Sequence, residues 1–194
     1  MKNFKIYLKS LLFLFVCWLA AFVIVMFFPL AYQKMGPIMC LAFGVCSVGA
    51  TLCIYGDWCI KLGEKAWDRN DTPEDMKTKQ HFGFKIGLVP TIVNYIYVVL
   101  LYLSKLGVLK FDFYPWYKTL TFYFMPLTYL VAPNEAVNID GKVMSVNVPA
   151  AELSWGAMIM FTLLPLVFLA ICWGMYYIGY NHIDVKSKII YSKK

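Results

Sequence analysis

Apolar runs long enough to cross a bilayer recur along the chain, separated by polar stretches. Leu11 to Ala31 is 21 residues without a charge, and at about 1.5 Å per residue it reaches across a hydrocarbon core of about 30 Å. Ahead of it, Lys2, Lys5 and Lys9 fall on one helical face, with Phe4 and Leu8 on the apolar side. The run is too long for the core of a cleaved signal peptide and no small-x-small site follows, so an uncleaved anchor is expected. Pro37 restarts the chain after Tyr32 to Gly36, and Ile38 to Ile54 has only Ser47 and Thr51 as polar members. Past Ile54 the helical spacing continues with Asp57, Lys61, Glu64, Lys65, Asp68 and Arg69, the pattern of an ion-paired helical extension into water.

Asn70-Asp71-Thr72-Pro73-Glu74-Asp75 signals a new helix start: a capping hydroxyl, proline in the first turn, then acids. That helix leads into a third apolar run, Ile86 to Leu103, with Pro90 and Asn94 one turn apart. Proline frees a backbone carbonyl for a neighbouring side chain, and Asn94 within lipid seeks a partner across a helix interface. Leu153 to Tyr180 is uncharged for 28 residues and contains Pro165, so it spans with tilt or a kink.

Between the third and last runs, Phe111 to Pro133 is crowded with aromatic residues and broken by Pro115 and Pro126, which suits an interfacial or re-entrant segment. Ala136 to Ile139 and Lys142 to Ser145 flank Asp140-Gly141, the chemistry of a two-residue hairpin turn. The expected fold is an all-α integral membrane protein, one membrane domain over 1–194. Its spans lie near 11–31, 37–60, 85–104 and 153–180. A helical hairpin over 61–84 lies on the cytoplasmic side, and the loop 105–152, with the aromatic segment and a small β-hairpin, lies outside.

Composition agrees. The chain is 61% hydrophobic, 18% aromatic and 15% charged, with a mean hydropathy of +0.63; a soluble fold of 194 residues needs more polar surface. The net charge of +7 reports orientation. With four spans, thirteen basic residues fall on the side of both termini and five on the other. A fifth span at Thr119 to Ala132 changes the tally to ten against eight, so four spans in a cell membrane, both termini cytoplasmic, are preferred. Asn70-Asp71-Thr72 matches a glycosylation acceptor but then lies on the cytoplasmic side. Arg69 is the sole arginine, which argues against nucleic acid as a partner. Lys186, Lys188, Lys193 and Lys194, set around Ile189, Ile190 and Tyr191, suit contact with an anionic membrane surface.

Little in the chain announces catalysis. Zinc-protease, nucleotide-binding and serine-hydrolase motifs are missing, no C-x-x-C pair occurs among the six cysteines, and neither metal nor cofactor is expected. The apolar runs carry no Asp, Glu, Lys, Arg or His, which a single-chain pump or carrier keeps at depth. Small residues four apart, Gly36, Cys40 and Gly44, then Ala42, Cys46 and Ala50, let helices approach closely in lipid. Together with Asn94 they predict a non-catalytic subunit or accessory component that packs with its own copies or a larger membrane complex such as a transporter, with Gly44 critical for assembly. Two alternatives stay open. One is an enzyme acting on lipid or isoprenoid head groups at the cytoplasmic face through Asp57, Glu64, Asp68, His81 or His182, with Asp75 or Asp184 nearby; the other is a small channel or carrier component.

The orientation is checked by placing single cysteines at Thr72 and Ser192 in a chain stripped of its native cysteines. An impermeant thiol reagent should label both positions in inverted vesicles and neither in intact cells; labelling of either from outside would reverse the assignment.

Overall fold

The computed structural model describes residues 2–27, 37–68, 81–139 and 142–182. Gly36, the capping sequence around Thr72 with Asp75, the Asp140-Gly141 turn, Asp184 and the four lysines from Lys186 to Lys194 lie outside the described residues. Among the described residues four helical stretches are long and apolar enough to cross a bilayer: Phe4–Met26, Pro37–Trp67, Phe82–Lys105 and Trp155–Tyr180.

These stretches belong to α1 (Lys2–Met26), α2 (Pro37–Trp67), α3 (Phe82–Lys105), and α6 (Trp155–Leu163) with α7 (Leu166–Tyr180). The polar N-terminus and the ion-paired extension are continuous with their spans, so α1 and α2 outrun the apolar runs that define them. Pro165 divides the last span: it lacks the N–H that would continue the ladder, and the helix breaks at Leu164 and Pro165. Ser154 caps α6, its hydroxyl accepting the Ala157 N–H at 3.1 Å. Between α3 and α6 come α4 (Tyr114–Leu120), a 3-10 turn (Phe122–Phe124), α5 (Met125–Val131), two strands, β1 (Glu135–Ile139) and β2 (Lys142–Val146), and a second 3-10 turn (Ala150–Glu152). The strands pair antiparallel in a register from Glu135 opposite Val146 to Ile139 opposite Lys142. Neither α4 nor α5, at 7 residues each, is of spanning length.

Lipid offers no hydrophobic reward for bringing helices together, so the bundle depends on close packing and internal hydrogen bonds. Glycines set the closest approach. A Cβ at Gly63 of α2 would meet the Tyr176 carbonyl and lie 2.6 Å from the Tyr180 N, and one at Gly179 would fall on the Ile60 carbonyl, so α2 and α7 touch backbone to backbone. On α3, Gly83 receives the Tyr176 side chain and Gly87 receives Cys172 and Leu169. Helix α7 thus seats in α2 and α3 together, and α1 packs across the remaining side of the same two helices.

Prolines and polar side chains within the bundle are matched to one another. Pro90 cannot bond back to the Ile86 carbonyl, and Ser10 of α1 donates to that carbonyl at 3.5 Å. Tyr55 of α2 donates to the Ser10 carbonyl, which ties three helices at one point. Thr91 donates to Gly87 O at 2.8 Å and reaches Pro165 O at 3.3 Å, bridging the two proline-bearing spans. Ser47 Oγ alone among the described buried side-chain oxygens and nitrogens has no partner.

The glycine contacts define a stability test. Gly179→Ala should lower the Tm of the purified protein in detergent, costing about 1–3 kcal/mol from overpacking against backbone. Gly174→Ala, where a Cβ meets open space, should be neutral or stabilising by about 0.5–1 kcal/mol.

Candidate functional site

The densest set of side-chain interactions lies in the segment joining α3 to α6. It starts where α3 ends: Ser104 donates to the Phe111 carbonyl at 3.2 Å and accepts the Phe113 N–H at 3.0 Å, folding the chain back on the helix. Asp112 Oδ1 accepts the Tyr114 N–H at 3.0 Å and the Ala150 N–H at 3.2 Å, so one carboxylate holds both the start of α4 and the chain returning toward α6. Lys105 donates to the Ala151 carbonyl at 3.3 Å and to the Leu153 carbonyl, with its ammonium 4.9 Å above the Trp155 ring. From that frame the aromatic residues reach inward. Tyr123 donates to Asn94 Oδ1 at 2.7 Å, and Asn94 donates to the Pro90 carbonyl at 2.8 Å. Asn94 lies on α3 about 16 Å below its C-terminal end at Lys105, by the rise of about 1.5 Å per residue. Trp18 donates to the Thr119 carbonyl at 2.8 Å, Leu127 fills the space at Gly44, and the rings of Tyr55, Tyr123 and Phe124 surround Phe168 at 5.6, 5.1 and 5.7 Å.

Lys118 is the chemical centre of this segment. It is 3% exposed, an unusual place for a lysine unless its charge is fully partnered. Helical spacing puts it over the Tyr114 ring, 4.2 Å from its centroid, and Tyr129 of α5 supplies a second ring at 4.3 Å. The amide oxygens of Asn134 and Asn147 accept from it at 2.7 and 3.0 Å. Asn134 precedes β1 and Asn147 follows β2, so one ammonium clamps both ends of the hairpin to α4 and α5. Burial pushes Lys118 down to about 7, with Asp112 pulling it back up; the two ring faces also favour the charged form. Burial likewise raises the Tyr114 phenol, whose hydroxyl donates to the Ala132 carbonyl at 3.1 Å. With its donors engaged, the amine has the chemistry of a clamp.

One apolar crevice opens beside this core and a lysine-rimmed one lies far from it. The apolar one, of 380 Å³, runs between α1 and α3, walled by Leu11, Phe15, Trp18, Val93 and Tyr97 and floored by Tyr123. The other, of 270 Å³, lies at the opposite end of the bundle between α1 and α2 and is rimmed by Lys5, Lys9, Lys61 and Lys65.

The residues singled out by sequence separate in space. Cys40 and Gly44 of the first small-residue series are buried within the chain, and Gly44 meets Leu127 of α5, so a larger side chain at Gly44 strikes the protein's own interior before any partner. Ala42 and Cys46 of the second series are exposed and Ala50 is half-buried. Asn94 has its partner in the aromatic segment. Asp57, Glu64 and Asp68 are all exposed on α2, Asp57 paired with Lys61 at 2.7 Å. His81 is exposed at the start of α3, and His182 is exposed with its ring 5.7 Å from Trp67. Among the described residues, no three His, Cys, Asp or Glu side chains gather as a metal set. Sequence reasoning missed the Lys118 clamp. Its signal was an isolated lysine: Lys118 is the one basic residue between Phe111 and Pro133. Comparison with protein-family models, curated proteins and solved structures finds no match for the chain.

Lys118→Met should destabilise the folded protein by about 2–4 kcal/mol, since the amide oxygens lose their donor inside the fold. The pH dependence has a definite sign. With a folded-state value of about 7, below the roughly 10.4 of an exposed lysine, the unfolded chain binds the extra proton between these values. Stability therefore rises with pH through that window. In thermal denaturation between pH 7 and 9 the wild-type slope should be more positive than that of Lys118→Met, the cysteine ionisation common to both cancelling in the difference; equal slopes would refute it.

Proposed function

We propose that this multi-pass membrane protein has no catalytic chemistry of its own and works by packing with other membrane-embedded helices, its own copies or those of a larger complex such as a transporter. The observation that carries this is the outward face of α2. Ala42, Cys46, Gly49 and Cys53 follow one another at spacings of four, three and four, the rhythm of a helix–helix seam. Ala42, Cys46 and Cys53 are exposed, and a Cβ at Gly49 would meet nothing within 4 Å. Large apolar neighbours, Ile38, Leu41, Val45 and Leu52, flank the seam and are themselves exposed. Small residues give a partner backbone close approach there, while the larger ones supply contact area. In this arrangement the described polar groups of the spans are absorbed inside the chain, and the α2 face stays open. The aromatic segment is re-entrant, entering from the non-cytoplasmic side and returning there, with both termini in the cytoplasm of a cell whose plasma membrane holds the protein.

Oxidative cross-linking in native membranes tests the seam. Cys46 or Cys53 should link to a neighbouring chain, Cys46→Ala together with Cys53→Ala should remove the product, and Gly49→Leu should reduce it severalfold without lowering the Tm. A protein that gives no cross-link, stays monomeric in bilayers and is captured alone from its membrane would overturn the proposal.

A further inference from the structure

Away from the α2 seam, the crevice between the first turns of α1 and the last turns of α2 holds an excess of positive charge. Lys5 and Lys9 stand one turn apart on α1, Lys61 and Lys65 one turn apart on α2, and all four line one space of 270 Å³ with Ile6, Leu62 and Trp58. Like charges at this spacing repel along each helix, and facing two such pairs across a crevice adds to the repulsion. Asp57 answers part of it by pairing with Lys61 at 2.7 Å. Glu64, between Lys61 and Lys65 in the chain, and Asp68 beyond them are exposed and do not line the crevice. Among the described residues no carboxylate lines the crevice itself, and a bound anion would complete the balance.

The surroundings select the kind of anion. The crevice sits at the edge of two helices of spanning length, and its floor is apolar. Trp58 stacks on Phe13 at 4.8 Å, the placement of an aromatic side chain at a membrane interface. On α1 the lysine positions 5 and 9 continue at helical spacing to Leu12 and Val16, which are 60% and 39% exposed. An apolar track thus leads from the charged rim along the lipid-facing side of α1. We propose that this crevice binds the phosphate-bearing head group of an anionic phospholipid, with Lys5, Lys9, Lys61 and Lys65 around the phosphate and an acyl chain along Leu12 and Val16. Basic pockets between transmembrane helices recognise lipid head groups in this way.

The experiment is native mass spectrometry of the delipidated full chain, titrated with phosphatidylglycerol or with phosphatidylcholine of the same acyl chains. Phosphatidylglycerol should be retained preferentially. Lys9→Gln and Lys61→Gln should each weaken it about fivefold, and Lys9→Arg and Lys61→Arg should bind like the wild type. Lys85→Gln removes an exposed charge from the same end of the bundle outside the crevice and should leave retention unchanged. Circular dichroism checks that each variant is folded, and the comparison of the two lipids on the wild type stands without any variant. Equal retention of both lipids overturns the proposal. So does an equal loss in Lys85→Gln and Lys61→Gln, which would mean diffuse attraction, and so does displacement of the lipid by excess inorganic phosphate, which would mean a soluble-anion site.

Discussion

Backbone contact between α2 and α7 at Gly63 and Gly179 is the constraint on which the bundle depends. Inside lipid, apolar side chains gain nothing by leaving the solvent, so association energy must come from close-range dispersion and from hydrogen bonds that lipid cannot offer. Glycine at the crossing removes the side chains that would hold two helices apart. Once α7 is seated there, Tyr176 and Cys172 reach the glycines of α3, and one helix organises two neighbours. The polar contacts then follow without conflict: the carbonyl freed by Pro90 finds Ser10, and Ser10 in turn receives Tyr55.

The same economy of space shapes the aromatic segment. At the end of the bundle away from Gly63, α1 and α2 are lined by Trp18, Phe22 and Gly44, and the interhelix volume is taken by Phe122, Phe124 and Leu127. Irregular backbone at that depth is tolerable because its polar groups meet protein: Thr119 O receives Trp18 and the Asn94 amide receives Tyr123. The Lys118 clamp holds this insertion from above, joining α4, α5 and both hairpin ends through one side chain. A charge buried alone would oppose folding; partnered by two amides and two rings it fixes where the hairpin sits.

Particular residues show how far sequence reaches. Asn94 and Pro90 announced a need for partners within lipid, but not which ones. The acids Asp57, Glu64 and Asp68 satisfied the spacing of one helical face, and the fold leaves them exposed on α2 because that face turns from the bundle. Gly83 and Gly87, four apart in plain view, carry the α3–α7 contact. Small-residue spacing is common enough in apolar helices that it does not say which face finds a partner.

Length and hydropathy by themselves determined the four stretches long and apolar enough to span a bilayer that the described residues contain, because the cost of exposing backbone and charge to hydrocarbon acts on each segment independently. Tertiary structure alone decided which small residues face inward, that Lys118 is enclosed by residues as distant as Tyr114 and Asn147, and that four lysines of two helices rim one crevice. Those outcomes depend on helix rotation and on contacts between residues far apart in the chain, which periodicity within one helix does not encode.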